Sequence, residues 1–140
     1  MSEAVLEITD SNYRELVAEH PGPMLLDVWA TWCGPCRLIA PVIAWAASEY
    51  EGRLRVGKAD CDANPVLVES LAVQGLPTLV LFRDGSEIRR HEGVLTQAQL
   101  TAIGRAFGMR YEAPHALDIR RHLRLPWGRY YLVLLAGRDR

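Results

Sequence analysis

Leu25-Leu26-Asp27-Val28-Trp29-Ala30-Thr31-Trp32-Cys33-Gly34-Pro35-Cys36 reads as an apolar strand that delivers two cysteines to the start of a helix. The run from Met24 to Ala30 is broken only by Asp27, the pattern of a strand covered on both faces. From Leu38 to Tyr50 the apolar spacing turns helical, with Pro41 inside, where it removes one backbone bond and bends the helix.

That junction fixes the chemistry of the cysteines. Cys33 falls at a helix N-terminus, where unpaired N–H groups and the helix dipole favour thiolate over thiol. Cys36 lies one turn further in, on the same face and within disulfide reach. A strand, a CxxC and a helix together spell a dithiol–disulfide redox centre. Zinc would need four ligands, yet the other cysteine is Cys61, and His20, His91, His115 and His122 lack ligand spacing. A purely structural disulfide closing so small a loop would restrain little unfolded-chain entropy. No metal site is expected. Cys33, at an exposed helix start, is the expected nucleophile; Cys36, less exposed and protonated, is the expected resolving thiol. Asp27, an acid inside an apolar run, should have a raised pKa and be poised to exchange protons with Cys36.

Outward from this centre the pattern predicts further elements. Ala4 to Ile8 reads as a short edge strand. Thr9-Asp10-Ser11 offers caps for a helix carrying Tyr13, Leu16 and Val17, stopped by His20-Pro21-Gly22. Leu54 to Ala59 is a strand, Asn64-Pro65 caps a helix running to about Val73, and Thr78 to Phe82 is a strong strand. Asp84-Gly85 turns into a strand from Glu87 to Glu92, and Thr96 to Phe107 closes as a helix. The order βαβαβαββα predicts an α/β fold: a central mixed β-sheet with helices on both faces.

Residues 4–108 resemble the thioredoxin family. The resemblance is carried by Asp27 six before Cys33, the WCGPC run from Trp32, Pro41, Lys58, Gly75-Leu76-Pro77-Thr78, Phe82, Gly85 and Gly93. Departures are Gln74, where a basic residue often precedes the glycine, and Val94, where a small residue usually follows. The resemblance implies a thioredoxin fold and a protein disulfide reductase with no bound cofactor, its electrons held in the Cys33–Cys36 dithiol. It places Lys58, the one lysine beside fifteen arginines, near Asp27. A compact ammonium there would tune the acid. Pro77 resembles the family's cis-proline, which would turn the Leu76 backbone outward for a substrate segment to pair with as an added strand. Trp32, Gly34, Pro35, Leu76, Pro77, Gly93 and Val94 would then form a flat apolar docking surface around Cys33. Gly-Pro between the cysteines accompanies strongly reducing members. The implied partners are disulfide-containing protein substrates and a thioredoxin-reductase-type, NADPH-dependent flavoprotein. Cys61 is expected to pack under the sheet as a small hydrophobe.

Composition agrees. The 140 residues, 49% hydrophobic and 24% charged with a net charge of −1, suit a soluble domain and argue against a nucleic-acid partner. The N-terminus carries acids where a secretory signal needs basic residues, no run is long enough to span a bilayer, and three cysteines suit a reducing compartment. The expected location is the cytoplasm. Charge divides the chain: residues 109–140 carry seven arginines against Glu112, Asp118 and Asp139, while residues 1–108 are net acidic. The expected organisation is a thioredoxin domain over 1–108 and an Arg-rich extension over 109–140. The extension contains a helix-compatible stretch, Asp118 to Arg124, and a short apolar run, Tyr130 to Ala136. It is read as an added element packing on the domain or on a second copy, with an Arg-rich docking element for one partner protein or an interfacial segment drawn to anionic lipid as the alternatives. The competing function is a redox-linked binding or assembly module that docks a partner through this tail.

Overall fold

The computed structural model describes residues 5–106. Its strands are β1 (Val5–Glu7), β2 (Pro23–Trp29), β3 (Arg55–Asp60), β4 (Thr78–Arg83) and β5 (Ser86–Glu92); its helices are α1 (Gly34–Glu49), α2 (Pro65–Ser70) and α3 (Gln97–Ala106). The strands form one mixed sheet in the order β1-β3-β2-β4-β5. β1, β3 and β2 run parallel, whereas β4 is antiparallel to β2 and β5 to β4. This is the expected thioredoxin fold. The extension's two elements and the last residue of the closing helix lie outside the described residues, as does Ala4.

Alternation along the strands sorts the core into two layers. Leu25, Val56, Leu79 and Leu81 pack with Ile39, Ile43 and Ala46 of α1 and Leu100 of α3. Met24, Leu26, Val28, Val80 and Phe82 pack on the opposite face with Val17 and with Leu67 of α2. Asp27 shares the parity of Leu25, and Lys58 that of Val56, so both belong to the α1 side.

Two local expectations are corrected. The segment after β1 begins with a turn in which the Asn12 N–H donates to Thr9 Oγ1 and the Thr9 N–H to Asn12 Oδ1. It then widens into a five-residue π-helical segment, Arg14–Ala18, instead of a regular helix. Its end is held by the β4–β5 turn. Gly85 has φ +84, and a Cβ there would collide with the Ala18 carbonyl oxygen, so glycine is required. The Gly22 N–H donates to Asp84 Oδ1 in the same corner.

α2 ends at Ser70, short of Val73, because Ala72 adopts φ 55 and the Arg90 guanidinium takes the Leu71 carbonyl at 2.8 Å. Asn64 makes no side-chain cap to α2. The cap comes instead from Asp10, whose carboxylate accepts the Leu67 N–H at 2.8 Å and the Val66 N–H at 3.3 Å. Asn64 accepts the Asp10 N–H at 2.9 Å and donates to the Asp60 carbonyl, tying the loop after β1 to the loop after β3.

Candidate active site at the Cys33–Cys36 disulfide

β2 ends at Trp29, and the Cys33 N–H turns back to donate to the Ala30 carbonyl at 3.2 Å. Cys33 is the N-cap of α1: its backbone is extended (φ −93, ψ 109) and its Sγ accepts the Cys36 N–H at 3.1 Å. Pro35 stands in the first turn, where a missing N–H costs no helical bond. One turn of helix brings the two Cα atoms to 5.3 Å, and the sulfurs are joined as a disulfide.

The expected difference in exposure between the sulfurs is absent from this oxidised form. Cys33 is 4% exposed and Cys36 5%. Bonded to each other over the first turn of α1, they share a small cluster with Ala30, covered by Trp29, Cys61 and Leu76. Around them, Trp32 is 65% exposed, Gly34 and Pro35 are exposed, Val94 is exposed, and Leu76 and Gly93 are half-buried. Pro77 departs from the expected surface because its ring is buried. The Leu76–Pro77 bond is cis, and the Pro77 carbonyl accepts the Gly93 N–H at 2.8 Å. Proline is thus beneath the rim and its neighbours form it.

On the α1 side of the sheet, Asp27 is buried and faces Lys58 across the β2–β3 register. Burial pushes its carboxyl up to about 7, opposed by the charge of Lys58. Its Oδ1 has no hydrogen-bond partner, and neither does the buried Trp29 Nε1. Asp27, Trp29, Cys36, Arg37 and Lys58 line one open cleft of about 370 Å³. Asp27 and Cys36 therefore border the same cleft.

Two features of the site had no signal in the sequence. Asp62 accepts the Trp32 indole N–H at 2.8 Å, across a sequence gap of thirty residues that no spacing rule announces. The Lys58 ammonium lies over the Trp29 ring, 5.7 Å from its centroid. Cys61 is half-buried, packs against Leu67-side residues and the disulfide cluster, and donates from its thiol to Asp62 Oδ1 at 3.7 Å. Burial, then Asp62 and Asp60, push its pKa up, which keeps it a thiol.

Comparison with known proteins agrees with this geometry. Residues 4–105 match the family model described as Thioredoxin. A thioredoxin of Pseudomonas aeruginosa is 42% identical over 102 residues, covering 73% of this chain and 94% of its own. A thioredoxin of Acidithiobacillus ferridurans is 44% identical over 102 residues with the same coverage. One from Mycobacterium bovis is 40% identical over 97 residues, 69% of this chain and 84% of its own. These similarities support redox chemistry at the disulfide and lend no support to a dedicated binding module.

Proposed function

The chain belongs to the thioredoxin family and is a protein-disulfide oxidoreductase whose redox group is the Cys33–Cys36 disulfide, and from that premise we propose how its residues divide the work. In the reduced protein the Cys33 thiolate attacks one sulfur of a substrate disulfide. That S–S bond breaks, the departing substrate sulfur takes a proton, and Cys33 is held in a mixed disulfide. Cys36 then loses its proton to the Asp27 carboxylate and attacks the Cys33 sulfur; the mixed-disulfide S–S bond breaks, and the second substrate sulfur leaves as a thiolate that takes up a proton from water. Two electrons pass from the dithiol to the substrate, and two substrate thiols result. The single observation that carries this reading is the redox pair at the N-cap of α1, with its inner member sharing a cleft with a buried acid whose pKa is about 7. An acid at that pKa is part carboxylate and part carboxylic acid near neutral pH, so it can take a proton and return it.

Trp32, Gly34, Pro35, Leu76, Gly93 and Val94 are the proposed docking rim, with the Leu76 backbone as the strand-pairing edge. The substrates are disulfide-bearing proteins, and a flavoprotein reductase using NADPH is the proposed electron source. Among the described residues no helix is long and apolar enough to cross a membrane, and a cytoplasmic location is the reading that fits the cysteine usage. The division at residue 108, with 109–140 as an Arg-rich appendage for a second copy or one partner, is part of the proposal. Sedimentation of the full chain against 1–108 tests the second-copy arm. Trapping tests the chemistry: Cys36→Ser should accumulate a mixed disulfide between Cys33 and substrate proteins. Mixed disulfides formed equally by Cys33→Ser through Cys36 would reverse the assignment.

A further inference from the structure

Lys58 stands opposite Asp27 in the β2–β3 register, so proximity alone would produce a direct ion pair. The arrangement is different. The ammonium sits over the Trp29 ring at 5.7 Å, and the buried Asp27 Oδ1 is left without a partner. Trp29 lies two residues beyond Asp27 on the same face of the strand, and its buried N–H bonds to nothing. What the indole offers this site is therefore its face, the part of the ring that attracts a cation.

We propose that Trp29 is a positioning residue: its ring seats the Lys58 ammonium away from Asp27 and so lets the acid both hold and release a proton beside Cys36. The other groups around Asp27 do not take over that task. Leu79, its neighbour on β4, has no charge. From α1 the cleft receives Cys36, which is in the disulfide, and Arg37, whose guanidinium donates to the Thr31 carbonyl at 2.8 Å. Burial is the larger cause of the raised Asp27 pKa and Lys58 is the charge that opposes it, so the placement of the ammonium tunes how far the acid is shifted. Among the aromatic residues tryptophan offers a cation the most favourable face.

The proposal rests on Asp27 being the proton carrier, yet its test reads the acid directly. The titration of the Asp27 carboxyl carbon is followed by NMR in the full oxidised chain. Trp29→Leu should lower its midpoint by about one pH unit, the effect of an opposite charge moving into contact. Trp29→Phe, which keeps a weaker face, should lower it by less. In a Lys58→Met background both substitutions should leave the midpoint in place, because no ammonium remains to be released. An equal fall without Lys58 would mean that water entering the enlarged cleft does the work, and the proposal fails. No fall, or a rise, overturns it as well. If the leucine variant does not fold, the phenylalanine pair reads the same cycle at smaller amplitude. In turnover, the pH midpoint of kcat should move with the titration while KM for the protein substrate stays. A moved titration with an unmoved profile would keep the seat for Lys58 and remove Asp27 from proton transfer.

Discussion

Successive residues of β2 point to opposite sides of the sheet, and the two sides have been put to different uses. Met24, Leu26 and Val28 meet Val80, Phe82 and Val17 in an apolar layer, and the buried Thr78 at its end has its hydroxyl bonded to the Gly75 carbonyl. Leu25 begins the other side in the same manner, but Asp27 and Trp29 continue it with a buried carboxyl and a half-buried indole, each with an unpartnered buried polar atom. One face stabilises the domain. The other gives up part of that stabilisation to keep an acid close to a sulfur, since an unpaired buried polar group costs about 1–3 kcal/mol.

The contrast breaks most sharply at the cysteines. Cys33→Ser should reduce disulfide-reducing turnover to background while leaving the melting temperature of the reduced protein within a few degrees. A substrate reduction assay beside a thermal scan measures both. Residual turnover through Cys36 would mean that the helix start is not what activates the nucleophile.

Phe82→Ala probes the apolar face. It removes a fully buried ring that also meets Tyr13 edge-on at 6.3 Å between centroids, and should cost about 3–5 kcal/mol in denaturant unfolding. Turnover per folded molecule should hold. A proportional loss of activity would show that the faces are coupled.

Asp27→Asn sharpens the comparison through pH. Burial pushes the carboxyl up to about 7 in the fold from the ordinary 3.8. Below 3.8 the acid is protonated in both states and does not change stability. Between 3.8 and about 7 the unfolded chain releases the proton and the folded one keeps it, so stability falls as pH rises; above 7 the loss levels off. The asparagine variant lacks this slope, so its advantage over the parent should grow by about 2–3 kcal/mol between pH 5 and pH 8. Turnover should drop by roughly 10²-fold. Equal urea midpoints of parent and variant at both pH values would show that the acid is not buried as described.

Asp62→Ala gives the smallest effect. Losing the acceptor of the Trp32 N–H should cost about 1 kcal/mol or less at this exposed site and raise KM for protein substrates more than it lowers kcat. An unchanged KM would remove Trp32 from the docking rim.

The parts of the molecule readable in advance are those governed by local rules. The alternation of β2, the Asp84-Gly85 turn, the N-terminal place of Cys33 and the discomfort of Asp27 all follow from neighbours within a turn or a strand. What escaped reading depends on groups far apart in the chain. α2 stops early because Arg90, some twenty residues on, takes its last carbonyls. Asn64 looks like a cap, but Asp10 displaces it in that role. The seat of Lys58 on Trp29 instead of on Asp27 is a choice between two partners on the same face, and sequence supplies both without ranking them.

The Asp10 cap has a bearing on how the domain opens. Six residues are too few for a helix to persist alone in water, so α2 exists only while its distant cap and its seat on the sheet persist. Asp10 lies three residues beyond β1, whose three pairs to β3 form the outer edge of the sheet. Detachment of that edge strand therefore withdraws the acceptor for the Val66 and Leu67 amides. The amides of α2 should exchange with deuterium in step with those of β1, as one cooperative unit joined across fifty-seven residues, while β2, β4 and the first turn of α1 stay closed.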